Sequence, residues 1–212
     1  MIRLFSTVLN RRNPFKIERL PWLARLYRYP LDQFHTPGRR ALFGAPYLLL
    51  FFLLQRFAPW KFRGQFSYAR GRNELRIQFN AKNTQFSALY ATAFANGYEA
   101  EVGALLDLLV PDDGVFLDVG SNWGWFPLWL ASRAGFRGRI HAFEPMPSTF
   151  KDLKATVDQA GLENLVVCHQ LALLDRDTFS LMEIPDGFQS GQARVSSSSQ
   201  VGFVGRTRVV AS

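Results

Sequence analysis

The sequence predicts an α/β protein in which a basic extension precedes a sheet of parallel strands. Apolar runs at 115–119 and 139–143 have the length of buried strands, and stretches with helical spacing, 123–134 and 147–160, follow them. A third apolar run, at 164–168, repeats the pattern. Strands that alternate with helices in this way are typical of a Rossmann-like sheet with helices on its faces. We expect the short runs at 171–174 and 178–184 to add further strands, and 185–200, rich in Gly, Ser and Gln, to form a loop.

Charge divides the 212 residues into two parts. Residues 1–80 contain 15 Lys and Arg against 3 Asp and Glu, whereas residues 81–212 contain 10 against 14. An apolar content of 48% excludes general disorder. We therefore predict a basic, aromatic-rich extension over 1–80 and a Rossmann-like domain over 81–212. The basic part suggests contact with an anionic membrane surface, a nucleic acid or an acidic partner.

The first elements of the extension are predicted to be short. Prolines at 14, 21 and 30 favour only short helices or turns over 14–30. The run at 41–54 is strongly apolar, and Pro46 would suit the start of a helix. Fourteen helical residues cover roughly 21 Å, too little for a hydrocarbon core of about 30 Å. Two interpretations stay open: an interfacial anchor with arginines on lipid phosphates, or an apolar helix packed on the domain or in a dimer.

Three elements are predicted between the apolar run and the first parallel strand. Alternating apolar residues at 62–79 around a Gly-Arg-Asn turn predict a β-hairpin. Apolar spacing over 86–94 predicts an amphipathic helix that ends at Gly97, and the spacing over 102–109 predicts a second helix that ends before Pro111. We expect both helices to cover one edge of a ligand site.

The turn after the first parallel strand predicts a nucleoside-cofactor site. Its D-x-G-x-N-x-G pattern combines a carboxylate, Asp118, with glycines that allow tight turning, and helix N-terminal amides are expected to be free there. Glu144 follows the next strand, where a carboxylate can accept hydrogen bonds from ribose hydroxyls. Asp118 would repel a pyrophosphate but would favour the cationic methionyl end of S-adenosylmethionine. The alternative is an ordinary strand-to-helix turn with a solvated acid.

The same residues resemble the FkbM family of class I S-adenosylmethionine-dependent methyltransferases. The resemblance covers about 97–195 and rests on Tyr98-Glu99, on F-L-D-V-G-S-N-W-G from Phe116, on H-A-F-E-P-M-P-S-T-F from His141 and on the stretch from Asn164. Members of that family continue with more of the sheet, so the resemblance implies a domain that is C-terminally incomplete, active poorly or not at all by itself, and prone to self-association. The implied cofactor-binding residues are Asp118, Gly120, Ser121, Asn122 and Gly124 in the loop, Glu144 at the ribose, and Ala172 and Leu173 at the adenine; Ser190 and Gly191 would lie near the cleft.

The resemblance implies O-methylation of a hydroxyl on a sugar or another small or glycan acceptor. A non-catalytic cofactor-binding or scaffold protein is one alternative. A nucleic-acid methyltransferase is less favoured, because the Asn/Asp-Pro-Pro-aromatic motif of amino-group methylation on bases is missing. No catalytic residue is assigned, and His141 is interpreted as structural.

Cysteine and histidine usage restricts other chemistry. The single cysteine, Cys168, excludes an internal disulfide, fits a reducing, cytoplasmic location and is predicted to be a structural thiol in a strand. The three histidines lack metal-ligand spacing, so we predict no bound metal. A peripheral position at the membrane would follow if the apolar run is an anchor.

Overall fold

The computed structural model describes residues 13–33, 36–57, 62–71, 73–94, 97–173, 178–185, 194–195 and 203–211. Its strands form three separate three-stranded sheets. The first lies in the basic extension, the second carries the predicted site, and the third is formed by the last strands.

The first sheet confirms the predicted hairpin and adds a strand to it. Strands β2 (Arg63–Arg70) and β3 (Asn73–Asn80) pair antiparallel, with Phe66 opposite Ile77, and both of these side chains are buried. Strand β1 (Phe15–Arg19) pairs with the free edge of β2. The expectation of only short helices or turns over 14–30 is therefore wrong, because the alternation of apolar and charged residues at 15–18 suits a strand.

Two helices follow β1 and precede the hairpin. Helix α1 spans Trp22–Gln33 and helix α2 spans Pro37–Phe57, each with a proline inside, Pro30 and Pro46. The prediction that Pro46 begins a helix is wrong, since α2 begins at Pro37. The helices pack on each other, with the rings of Tyr27 and Phe51 at 5.2 Å, and such packing can outweigh one lost backbone hydrogen bond. By length and hydropathy taken together, no helix among the described residues qualifies as a membrane span.

The segment before the central sheet differs in part from its prediction. Instead of one amphipathic helix, two short 3₁₀ helices occupy Thr84–Leu89 and Thr92–Phe94. The Asn83 side chain caps the first one, and the Tyr90 amide closes it by bonding to the Ser87 carbonyl. Such i to i+3 bonds tighten the chain while Phe86 stays buried. Helix α3 (Ala100–Leu109) is confirmed.

The central sheet has the predicted parallel pairing. Strands β4 (Val115–Val119), β5 (Arg139–Phe143) and β6 (Val166–His169) lie in the order β4-β5-β6. Helix α4 (Trp125–Ala131) connects β4 to β5, and α5 (Pro147–Gln159) connects β5 to β6. Helix α4 is shorter than predicted because Gly124 before it has φ of 96°, outside the helical range. The protein is thus a mixed α/β protein with a parallel three-stranded sheet.

The last strands do not extend that sheet. Strand β7 (Thr178–Pro185) pairs antiparallel with β8 (Arg194–Val195) and β9 (Phe203–Ala211), in the order β8-β7-β9. The expectation that 178–184 extends the parallel sheet is therefore wrong, since an apolar run does not specify its pairing partner. Of the expected loop at 185–200, Pro185 belongs to β7 and 194–195 form β8, whereas Ser190 and Gly191 lie outside the described residues.

The first sheet and the central sheet share one hydrophobic core. The indole of Trp123, just after β4, stacks on Phe86 at 4.8 Å and meets Phe66 of β2 edge-on at 5.8 Å. The buried hydroxyl of Tyr68 donates a hydrogen bond of 2.8 Å to the carbonyl of Leu128 in α4. The basic extension thus supports the turn between β4 and α4.

Candidate functional site

The predicted turn lies at the carboxyl edge of the central sheet, where β4 and β5 both end. Gly120 has φ of 83° and Asn122 has φ of 52°, so the chain reverses through the left-handed region. A Cβ at Gly120 would meet nothing within 4 Å, whereas one at Gly124 would lie 3.0 Å from Leu153. The turn therefore faces open space at Gly120 and packs closely at Gly124.

The amides of the turn are engaged within the protein. The amides of Gly120 and Ser121 both donate to the Phe143 carbonyl at 2.9 Å, and the Gly124 amide donates to the Ser121 carbonyl at 2.9 Å. These three amides, which precede the first helical residue, are therefore not free, because the turn folds back over the end of β5. A phosphate site at a helix N-terminus needs free amides. This turn is therefore less suited to a dinucleotide.

Glu144 holds the turn in place. It is 6% exposed, and its carboxylate accepts the amides of Asn122 at 3.0 Å and Met146 at 2.9 Å, one on each oxygen. Burial raises the pKa of Glu144, the two amides oppose that shift, and the charge of Asp118 adds to it. A carboxylate oxygen can accept two hydrogen bonds. Each oxygen thus retains one acceptor position for a further donor.

Asp118 is a buried acid to which no cation is paired among the described residues. It is 8% exposed, and burial raises its pKa to about 6, with Ser121 opposing part of the shift. The Ser121 hydroxyl itself donates to the main-chain carbonyl of Asp118 at 2.8 Å. Asp118 Oδ2 is buried and has no hydrogen-bond partner among the described residues. This atom is an acceptor that a cationic donor would satisfy.

A second acceptor without a partner lies on the same turn. Asn122 Oδ1 is buried and, within the described ranges, makes no hydrogen bond. Buried polar atoms in native proteins are nearly always paired with protein, water or a ligand, so these two acceptors are positions where a bound donor would fit. Asp118, Asn122 and the carboxylate of Glu144 thus offer acceptors, whereas the buried indole N–H of Trp125, directly after the turn, is a donor without a partner among the described residues. The acceptors fit an ammonium and sugar hydroxyls better than phosphates.

Aromatic side chains support the turn from the other side. Trp125, the first residue of α4, lies 4.4 Å from Phe15 and 5.7 Å from Tyr98, ring to ring. Burial raises the pKa of Tyr98 to about 12, and the hydrogen bond and charge of Glu99 add to the shift. Glu99 has φ of 45° at the start of α3. The Tyr98-Glu99 pair thus lies beside the helix that begins at the turn. In the sequence, only the family resemblance connects this pair with the turn.

The other predicted site residues lie after β6. Ala172 is buried and Leu173 is exposed, at the same carboxyl edge of the sheet. Described hydrogen bonds pair Ser121 with Asp118 and Asn122 with Glu144, whereas Ala172 and Leu173 belong to neither pair. Their role at an adenine stays a prediction.

The histidine and cysteine side chains of the sheet take no part in these hydrogen bonds. His141 Nδ1 and His169 Nε2 are 3.0 Å apart. Because side chains alternate along a strand, His141 lies on one face of the sheet, whereas Ala142 and its pairing partner Asp118 lie on the other face. Burial raises the pKa of the Cys168 thiol to about 11, as expected of a structural thiol. Among the residues that the structure describes, no group of three or more His, Cys, Asp or Glu side chains could hold a metal ion.

The fold and the site define a mixed α/β protein with a glycine turn at the carboxyl edge of a parallel sheet. No family model matches the chain. A stretch of 50 residues, 24% of this chain, is 46% identical to the AMB antimetabolite synthetase AmbE of Pseudomonas aeruginosa, of which it covers 2%. The crystal structure of PH0851 aligns with this chain over 80% of this chain and 32% of the PH0851 chain, at 16% identity and a TM-score of 0.32. The chain spans a small part of either protein, and the FkbM resemblance stays a prediction.

Proposed function

We propose that the protein binds S-adenosylmethionine at the Gly120–Gly124 turn and transfers its methyl group to a hydroxyl of a small-molecule or glycan acceptor. The observation that carries the proposal is the pair of buried acceptors, Asp118 Oδ2 and Asn122 Oδ1, without partners on one turn. The Rossmann-like methyltransferase fold belongs to the same proposal. The parallel order β4-β5-β6 with a site at its carboxyl edge supports that fold.

The chemistry of the turn selects the class of cofactor. When bound, S-adenosylmethionine would supply an activated methyl group, which an acceptor hydroxyl oxygen takes from the sulfonium sulfur with S-adenosylhomocysteine as the leaving group and the hydroxyl proton released to solvent. Asp118 and Asn122 would accept hydrogen bonds from its ammonium group. Glu144 would accept from the ribose while it fixes the turn through the Asn122 amide. A dinucleotide would instead bring a pyrophosphate to two carboxylates and to amides that are already engaged.

Positioning can supply most of the rate of such a transfer. The methyl group is already activated, so alignment of the acceptor oxygen with the breaking bond is the main requirement. We assign no general base. The acceptor class rests on the family resemblance, and the short likeness to an antimetabolite synthetase is compatible with a small-molecule pathway.

Calorimetric titration with S-adenosylhomocysteine and with NAD tests the cofactor. We expect S-adenosylhomocysteine to bind more tightly than NAD, and Asn122→Ala to weaken it by about 1–3 kcal/mol. Asp152→Asn is the matched control, because Asp152 is another acid whose pKa burial raises to about 6, and it bonds to Asn83 rather than to the turn. Tighter binding of NAD would exclude the proposal. Transfer of labelled methyl groups to a panel of glycans and small alcohols then tests the acceptor.

A further inference from the structure

Helix α2 exposes a face that is as apolar as the face it buries. The buried positions Gly44, Phe51 and Gln55 recur at helical spacing and mark the inner face. A surface helix normally carries charged and polar residues on its outer face. The outer face of α2 instead carries large apolar side chains that solvent reaches, namely Leu42, Phe43, Tyr47, Leu49, Leu50, Leu53 and Phe57.

Helix α1 continues this surface. The exposed ring of Tyr29 in α1 lies 4.7 Å from the exposed ring of Tyr47 in α2. Trp22, the first residue of α1, is also exposed. We call the seven exposed side chains of α2, together with Tyr29 and Trp22, the apolar face. Contiguous apolar surface of this kind marks an interaction site in a protein.

The charges around the apolar face are positive. Helix α2 contains no acidic residue, and exposed Arg39 lies near its start. Exposed Arg25 lies on α1. The acid of α1, Asp32, is engaged by Arg28 at 2.7 Å and by the amide and hydroxyl of Thr92. An anionic surface would therefore meet cations at the rim of an apolar patch.

We propose that the apolar face docks on the surface of a bilayer that contains anionic lipid, with α2 lying in the interface. Between Ala41 and Leu54 the outer side chains offer one polar group, the Tyr47 hydroxyl. Protein interfaces carry about one hydrogen bond per 100–200 Å², whereas acyl chains require none. Tryptophan and tyrosine favour the headgroup level, and arginines near them pair with lipid phosphates. This docking is independent of the proposed methyl transfer.

Vesicle flotation of the full chain tests the proposal. The vesicles contain phosphatidylcholine alone or with about one third phosphatidylserine, at low and high salt. We expect binding to the phosphatidylserine vesicles that weakens with salt, because charges near the surface are screened over about 10 Å at 0.1 M. The double variant Leu49→Glu/Leu53→Glu should bind these vesicles at least tenfold more weakly than the wild type. The single variant Arg39→Gln should bind them with a smaller dependence on salt.

A matched control separates the apolar face from exposed leucines in general. Leu109 in α3 is 68% exposed, close to the 62% of Leu49, but it lies outside the apolar face. Leu109→Glu should therefore bind vesicles as the wild type does. Circular dichroism and thermal unfolding of each variant establish that it is folded.

Two results would overturn the proposal. The first is that the folded double variant Leu49→Glu/Leu53→Glu binds vesicles as strongly as the wild type does. The second is that the wild-type chain does not bind phosphatidylserine vesicles but forms a dimer in sedimentation equilibrium, and that Leu49→Glu/Leu53→Glu abolishes this dimer. The apolar face would then be a contact between two copies.

Discussion

Replacing Asp118 by asparagine should stabilise the ligand-free protein while it weakens the cofactor site. Burial raises the pKa of Asp118 from 3.8 to about 6. A difference of about two pH units corresponds to roughly 3 kcal/mol of unfavourable free energy for the ionised side chain in the folded state at neutral pH. Asparagine has nearly the same shape and no charge, but burying its amide costs roughly 1–2 kcal/mol. We therefore expect Asp118→Asn to raise the free energy of unfolding by about 1–2 kcal/mol at pH 7.5.

The pH dependence of this gain identifies its cause. Between pH 3.8 and about 6 the folded protein holds the Asp118 proton more tightly than the unfolded chain does. The contribution of Asp118 to stability therefore falls as the pH rises through that window and is constant above it. Asp118→Asn should therefore be less stable than the wild type near pH 4, where mainly the cost of the buried amide remains, and its stability relative to the wild type should rise up to about pH 6 and stay constant at higher pH.

Urea unfolding of the wild type and Asp118→Asn at several pH values measures this difference. Asp152→Asn serves as control, because it removes another acid whose pKa is raised to about 6 without touching the turn. Only Asp118→Asn should weaken S-adenosylhomocysteine binding. A variant less stable than the wild type at pH 7.5, or a gain that does not change with pH, would refute the reasoning.

Three further predictions follow from single contacts. Glu144→Gln should lower the free energy of unfolding by about 1–3 kcal/mol in urea, because either orientation of its amide sets an N–H against one of two backbone donors; unchanged stability would contradict this clamp. Tyr68→Phe should cost about 0.5–1.5 kcal/mol in thermal unfolding through loss of the bond to Leu128; a gain in stability would be inconsistent with that bond. Burial and the charge of His141 lower the pKa of His169, so stability should be full above about pH 6.5 and fall as the pH drops below it; a pH titration in which His169→Gln shows the same loss would exclude this origin.

Local patterns in the sequence were sufficient for the elements that carry the site. Alternation of apolar residues predicts the hairpin of β2 and β3, and apolar runs of strand length predict β4 and β5. The expectation that the first run is buried is wrong, since Val115, Leu117 and Val119 of β4 are exposed. The glycines at 120 and 124 predicted the reversal after β4, where the backbone requires positive φ. These features depend on neighbours along the chain, so a single sequence reveals them.

Features that depend on distant partners were missed. The run from 178 has the composition of a strand, but its antiparallel pairing with β9 depends on which segment meets it. Pro46 reads as a helix start, yet packing of α1 against α2 keeps it inside a helix. The sequence predicts that Glu144 binds a ribose, but its bond to the Asn122 amide depends on how the turn packs against the end of β5, which local sequence does not specify.

Calorimetry of S-adenosylhomocysteine binding at pH 6, in two buffers of different ionisation enthalpy, tests the central claim most directly. Because the pKa of Asp118 is about 6, about half of these carboxyls hold a proton at that pH. A cationic group that binds against Asp118 should expel this proton, so the wild type should release up to about half a proton on binding. The variant Asp152→Asn should release the same amount, and Asp118→Asn should release none. Binding heats that are equal in both buffers for the wild type would contradict the assignment of this turn to a cationic cofactor.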